Sequence, residues 1–412
     1  MSKAPVLRAT RRDWMTTGII TAVCAIAVGG AYFTADIREA SLVTAAEPVT
    51  GDVQVLAQAP NALTEAYAVG NVGVAGEHKP LVSKGLLITN DERTVRAMAN
   101  DGTEVWSYTR ENDEICALGT AWDKVVVTYR TGVGCGDVVS IDSATGQYAD
   151  TRSAINSDDV VSVTSNDRVG TVSTERLDLW RSDMVRTVEY GDVEAKQEPD
   201  MQPNEACTMS SALTRTENVA LTESCPDAEG STWLRLMKAT PEDSRKPEIQ
   251  ANVHIQADGV RLVAVGQEAA AVYMPGATPQ IRAFNQSGEQ VSESNVAEAP
   301  AITEATTPFA PATADLPHHM TWFDGERLYL FTPTTLSVDR IFEDAIGTPV
   351  AVGERMLMPV KEGIAVVDWS NGNVDRVIKV DRGSYSGPVY LAMAGTTIVE
   401  SRGDQTVAFT AS

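Results

Sequence analysis

The chain has 412 residues, of which 43% are hydrophobic and 22% are charged, a balance typical of a globular protein rather than a disordered one. Its formal net charge is −23 at pH 7. Because an acidic surface repels phosphate groups, this charge argues against nucleic acid and anionic lipid head groups as partners for the bulk of the chain.

The first predicted element is a transmembrane helix over residues 15–34. This segment carries no charge, and at about 1.5 Å per residue it is long enough to span the hydrocarbon of a bilayer. Acidic residues follow it, and basic residues precede it: Lys3, Arg8, Arg11 and Arg12 before the helix, Asp36 and Glu39 after it. The positive-inside rule therefore predicts a single-pass protein of the cell membrane, with residues 1–14 in the cytoplasm and the C-terminal domain extracytoplasmic.

A cleaved signal peptide is the alternative to an anchor. The apolar run is longer than the usual signal core of roughly 7–15 residues. The small-residue site at Gly29-Gly30-Ala31 lies inside the run. Both features favour an uncleaved anchor. Arg11-Arg12 also fits a twin-arginine export signal, and this route stays open.

The remaining chain is divided into a juxtamembrane linker over residues 35–60 and one extracytoplasmic domain over residues 61–412. In this domain, short β-branched runs alternate with Gly, Asn and Asp at intervals of about 8–12 residues, which is typical of an antiparallel meander. Residues 192–206 and 294–317 interrupt this rhythm and are predicted to be long loops.

A strand–turn–strand repeat recurs along the domain. The clear copies lie at 95–106, 138–147, 281–290 and 364–373, and weaker copies lie at 177–189, 233–241 and 336–349. Repeats about 50 residues long are typical of propeller blades, so the sequence predicts an all-β fold, a β-propeller of seven blades, with six or eight as alternatives. A strand at about residues 64–76 is expected to complete the last blade and close the ring.

Four cysteines lie beyond the predicted helix: Cys116, Cys135, Cys207 and Cys225. Three pairings are available to them. The local pairs Cys116–Cys135 and Cys207–Cys225 close the shortest loops and each brackets a predicted hairpin, so we expect these two disulfides. They agree with an oxidising compartment. A zinc site is disfavoured because no CxxC spacing exists and no histidine lies near the cysteines with ligand spacing.

The sequence predicts no catalytic residue, no metal site and no cofactor. His318 and His319 are adjacent, and adjacent residues on a strand point to opposite faces, so they are expected to be loop histidines. Asp158-Asp159 and Asp91-Glu92 lack the spacing of a calcium loop and are expected to be solvated turns. No nucleophile-elbow, phosphate-binding, dinucleotide-binding or zinc-protease motif is present.

The repeats resemble those of quinoprotein-like (PQQ-like) propellers. Residues 100–108 (NDGTEVWSY) are the best match, and 143–146 and 370–372 are looser ones. Together with the single anchor, residues 356–360 and 381–383 are similar to membrane-anchored propellers of actinobacterial cell envelopes. The resemblance implies a propeller over most of the chain. Quinone dehydrogenases of this fold have adjacent cysteines, which this sequence lacks, so no enzyme is predicted.

The expected function is therefore that of a non-catalytic binding or scaffold propeller tethered to the outer face of the cytoplasmic membrane, in cell-envelope assembly. Its expected partners are the membrane, through the helix, and an envelope protein. A ligand- or metal-binding sensor or carrier is the first alternative, and a quinoprotein-type enzyme is the second. Convergent carboxylates in the central channel would favour the sensor, whereas a plugged channel would favour the scaffold.

Overall fold

The computed structural model describes residues 9–34, 36–194, 196 and 198–412. Helix α1 (Arg11–Phe33) begins with a capping box in which Thr10 and Asp13 exchange hydrogen bonds. It is long and apolar enough to cross a membrane, and none of its residues is buried. A 3₁₀-helix (Asp36–Glu39) follows. Lys3 and Arg8, in the basic flank that the sequence analysis used, lie outside the described residues.

Eight antiparallel sheets form a closed ring and are numbered here as blades 1 to 8 in chain order. The inner strands of neighbouring blades contact one another, and the inner strand of blade 8 contacts that of blade 1. From the innermost strand outwards, the blades are as follows: blade 1, β3 (Leu81–Ser83), β4 (Leu86–Asn90), β5 (Thr94–Met98), β6 (Glu104–Arg110) and β1 (Ala40–Val43); blade 2, β7 (Glu114–Ala121), β8 (Lys124–Thr131), β9 (Gly134–Asp142) and β10 (Tyr148–Ser153); blade 3, β11 (Val161–Thr164), β12 (Val169–Val172), β13 (Arg176–Trp180) and β14 (Arg186–Gly191); blade 4, β15 (Thr208–Arg215), β16 (Asn218–Ser224), β17 (Thr232–Lys238) and β18 (Ile249–Ile255); blade 5, β19 (Arg261–Val265), β20 (Ala269–Met274), β21 (Gln280–Asn285) and β22 (Gln290–Asn295); blade 6, β23 (Ala312–Leu316), β24 (His319–Phe323), β25 (Leu328–Phe331) and β26 (Val338–Phe342); blade 7, β27 (Val350–Val352), β28 (Arg355–Val360), β29 (Gly363–Asp368) and β30 (Asn373–Lys379); blade 8, β31 (Tyr390–Ala394), β32 (Thr397–Arg402), β33 (Gln405–Ala411) and β2 (Leu63–Gly70). A short helix, α2 (Pro300–Thr303), precedes blade 6.

The prediction of seven blades is wrong, and the ring has eight. Each of the seven repeats found in the sequence marks the hairpin between the third and fourth strands of blades 1 to 7. Blade 8 has no such hairpin because its fourth strand, β2, comes from the N-terminal part of the chain. Counting hairpins therefore misses the one blade that is assembled from both ends of the domain.

Strand β2 closes the ring, and this confirms the predicted closing strand. It pairs antiparallel with β33, from Leu63 opposite Ala411 to Gly70 opposite Gln405. Strand β1, inside the segment predicted as a linker, pairs with β6 and adds a fifth strand to blade 1. Ring closure leaves fewer free sheet edges, which is how propellers avoid edge-to-edge association.

The core lies between the blades. Trp106 is fully buried and donates its indole N–H to the Ser143 carbonyl at 2.9 Å, which joins blade 1 to blade 2. On blade 8, the fully buried carboxylate of Glu400 accepts hydrogen bonds from Arg382 at 2.7 Å and from Arg402 at 2.8 Å. Since Arg382 also donates to carbonyls of blade 7, this cluster joins the last two blades.

The two ends of the ring differ in what they carry. The inner strands begin at one end, here called the loop face, where the connections between blades lie. They end at the other, here called the hairpin face. A strap over residues 44–62 crosses the hairpin face between β1 and β2: the Ala45 N–H donates to the Thr145 carbonyl at 2.9 Å, and Arg376 donates to the Ala59 and Pro60 carbonyls at 2.9 Å.

Candidate functional site

Two segments cross the central channel at the loop face, and together they are called the plug here: residues 72–80, which lead to β3, and residues 304–311, which lead to β23. The Phe309 N–H donates to the Ser210 carbonyl of blade 4 at 2.7 Å. The Nε2 of His78, just ahead of blade 1, lies 2.9 Å from the Ala310 carbonyl. A connection between blades 5 and 6 that reaches blades 4 and 1 must lie across the channel.

The two halves of the plug also touch each other at Gly76. This residue has φ 82°, a left-handed conformation that glycine adopts without strain. A Cβ at this position would lie 2.9 Å from the Val161 Cβ of blade 3 and 3.1 Å from the Ala310 Cβ. The close approach therefore requires glycine, and any side chain here would push the two segments apart.

A cavity of about 960 Å³, here called the mouth cavity, opens beside the plug at the loop face. Its floor is apolar: Phe309, Phe323 and Ala345 are buried, and Tyr390 is half-buried. Blades 6, 7 and 8 and residues 304–311 supply its walls. Apolar surface that remains accessible in a large concavity is typical of a binding site.

The rim of the mouth cavity is acidic. It carries Glu304, Glu326, Glu343 and Asp344, all exposed, against one exposed lysine, Lys361. Glu326 lies 3.5 Å from Arg327, whereas the other three carboxylates form no ion pair with any described residue. A low-dielectric floor bounded by charges of one sign concentrates the field over the opening, so the cavity attracts cations.

Two titratable side chains of the plug lie beneath this cavity. Burial lowers the pKa of His78, and because the Ala310 carbonyl can only accept, Nε2 carries the ring proton. Glu77 borders a second cavity of about 220 Å³ between blades 8 and 1. Burial raises the pKa of the Glu77 carboxyl to about 8, although the charge of Lys79 acts in the opposite direction. Glu77 is therefore largely protonated at neutral pH.

The opposite mouth, at the hairpin face, has a different character. Its cavity of about 530 Å³ is bordered by the ends of the inner strands. Arg215 of blade 4 and Asp315 of blade 6 form an ion pair across it at 3.0 Å. Enclosure by the blades raises the pKa of Asp315, against the opposing effects of Arg215 and Lys79. Positive and negative charges are balanced here, unlike at the mouth cavity.

The cysteines form two disulfides in the structure. One joins Cys116 on β7 to Cys135 on β9, and the other joins Cys207 to Cys225, at either end of the first hairpin of blade 4. Among the described residues, the only group with metal-ligand proximity is Cys207, Glu223 and Cys225. Both of its sulfurs are engaged in the disulfide, so this group offers no thiolate to a metal.

The other residues considered in the sequence do not converge. His319 lies 3.4 Å from Asp339 within blade 6, whereas His318 packs edge-on to Trp369 of blade 7. Asp91 pairs with Arg96 at 2.7 Å, and Asp159 lies 3.7 Å from Arg130. These contacts are local to blades. The sequence analysis missed the acidic rim, for which the only signal was the loop predicted over residues 294–317.

No protein-family model matches this chain, and no curated protein matches it in sequence. Among solved structures, it is similar to the computationally designed Ika8 protein, with 13% identity, a TM-score of 0.50, and 83% of this chain and 99% of that chain covered. It is also similar to BamB from Moraxella catarrhalis, with 13% identity, a TM-score of 0.49, and coverage of 84% and 99%. For a europium-containing methanol dehydrogenase the identity is 11%, the TM-score 0.48, and the coverage 82% and 84%. At such low identity only the fold follows, and the chain is a β-propeller.

Proposed function

We propose that this protein is a non-catalytic binding or scaffold propeller, held at the outer face of the cytoplasmic membrane by α1, that acts in cell-envelope assembly. The observation that carries the proposal is the combination of a plugged channel with an open apolar cavity beside the plug. The plug obstructs the axial route from the loop face, while the cavity remains accessible to a protruding loop or side chain of another protein.

The placement at the membrane is supported by three independent features. Helix α1 is apolar, exposed along its length and preceded by basic residues. The two disulfides agree with an oxidising compartment beyond the membrane. A tether also raises the local concentration of the propeller near membrane partners, which favours weak docking contacts.

The site lacks the features that a sensor or an enzyme of this fold would use. The four rim carboxylates spread around the opening of the mouth cavity and are exposed, whereas a metal or cofactor site needs convergent ligands. The channel end at the hairpin face has an Arg215–Asp315 pair that neutralises itself. The geometry therefore favours polypeptide binding over the alternatives.

Photo-crosslinking in intact cells tests the proposal. A photoreactive p-benzoylphenylalanine replaces Ala305, on the wall of the mouth cavity, and the matched control places it at Thr216 in the opposite mouth. We expect one recurrent envelope-protein adduct from position 305 and none from position 216. Full-length protein that remains uncrosslinked at position 305, with normal membrane levels, would refute the binding role.

A further inference from the structure

The mouth cavity combines two properties that seldom suit the same ligand. Its floor offers aromatic and aliphatic surface from Phe309, Phe323 and Tyr390. Its rim carries four carboxylates against one lysine. A ligand that satisfies both must be partly apolar and positively charged, since a neutral ligand would leave the rim carboxylates without partners and an anionic one would be repelled.

The connection to α1 shows which way this cavity faces. Strand β1 starts at Ala40, which pairs with Arg110 at the end of β6. Strands alternate in direction across a blade, so the end of the fourth strand, β6, lies at the loop face. The anchor therefore joins the propeller at the rim of the same face that carries the mouth cavity.

The connection is too short to let the propeller turn over. Only six residues separate Phe33, the end of α1, from Ala40. A fully extended chain of this length spans about 25 Å at most. Arg38 shortens it further, because its guanidinium lies 4.5 Å from the centre of the Tyr32 ring. The loop face is thus held towards the bilayer, and the hairpin face points away from it.

We infer that the mouth cavity binds a basic, partly apolar segment of a second membrane protein, close to the point where that segment leaves the bilayer. This rests on the binding function proposed above and specifies the class of partner. Charge complementarity selects the basic segment, the apolar floor takes its non-polar side chains, and the short tether holds the cavity within reach of juxtamembrane chain.

The lipid surface itself is the other candidate for an occupant on this side. The acidic rim disfavours it, because carboxylates are repelled by anionic head groups. Lys361 is the single cation at the rim of the mouth cavity. The bilayer therefore orients the cavity, and a protein segment fills it.

The test neutralises the rim in the full-length protein in intact cells, with the photoreactive residue at position 305 as the probe. The rim variant is Glu304→Gln/Glu343→Gln, because neither side chain pairs with a described residue. The matched control is Glu268→Gln/Glu354→Gln, which removes two exposed glutamates from first-hairpin turns at the hairpin face. We expect the rim variant to lower the adduct yield at least threefold and the control to leave it unchanged. Peptide mapping should place the crosslink in a Lys/Arg-rich stretch next to a transmembrane span.

The outcomes separate the two proposals. An adduct that forms at position 305 with equal yield in both variants, or that maps to an acidic segment, overturns the basic-partner inference and leaves the binding function intact. A crosslink to lipid in place of protein also overturns it. The absence of any adduct from position 305 in the unaltered protein refutes the binding function itself.

Discussion

Replacing Glu77 by glutamine should make the protein more stable, and increasingly so as the pH rises. The folded protein holds the proton of this carboxyl up to a pKa of about 8, against 4.5 for an ordinary glutamate. Below pH 4.5 both folded and unfolded states are protonated, so the group has no effect. Between pH 4.5 and 8 only the unfolded state loses the proton, and rising pH therefore favours unfolding. Above pH 8 the loss is complete.

The magnitude follows from the size of the shift. One pKa unit corresponds to about 1.36 kcal/mol, so the full shift would cost about 5 kcal/mol above pH 8. Glu77 is only half-buried, and solvent screening reduces this to about 1–3 kcal/mol. For a domain of this size, such a change moves the thermal midpoint by roughly 1–4 °C.

The assay is thermal unfolding of the full-length protein in detergent, from pH 5 to pH 9. The difference in midpoint between Glu77→Gln and the unaltered protein should be small at pH 5 and largest at pH 8–9. Glu354→Gln, an exposed glutamate, serves as the control and should show no such trend. Parallel pH profiles for Glu77→Gln and the unaltered protein would show that Glu77 is already ionised in the folded state.

Three further perturbations test the packing. Glu400→Gln leaves two buried arginines without a carboxylate, so the free energy of unfolding should fall by about 3–5 kcal/mol, and an unchanged denaturation midpoint would contradict this cluster. Cys207→Ser/Cys225→Ser opens a loop of separation 18 and should cost about 3 kcal/mol, which differential scanning calorimetry measures; equal stability would count against the disulfide. Deletion of residues 2–62 should leave a folded ring, whereas deletion of 2–70 removes β2 and should cause aggregation on gel filtration; similar behaviour of both would refute closure by β2.

The all-β propeller could be predicted from local pattern because every blade contains strands and tight turns that neighbouring residues specify. The number of blades could not be read in the same way. Blade 8 takes β2 from a position more than 300 residues before β33, and no local repeat records a pairing between chain ends. The pairing of β1 with β6 escaped the sequence for the same reason, since a four-residue strand carries little pattern of its own.

The mouth cavity was even less accessible to sequence reasoning. Glu304 lies in a loop, Glu326 in a turn, and Glu343 directly after a strand, each in a context where an exposed acid is ordinary. They come to surround one opening because the connections between blades 5 and 8 converge at the loop face. Tyr390, which completes the floor, is almost 90 residues further along the chain than Glu304. Only the closed ring brings these positions together.

The N-terminal segment has two roles that depend on each other. Strand β1 holds the tether at the loop face of blade 1, the strap crosses the hairpin face, and β2 completes blade 8. The same stretch of chain therefore fixes the direction of the propeller relative to α1 and closes the ring. A tether attached to a freely rotating linker would leave the acidic mouth facing in any direction. Here the short connection and the β1 pairing hold that mouth towards the bilayer, which gives a basic juxtamembrane segment the shortest route into the cavity.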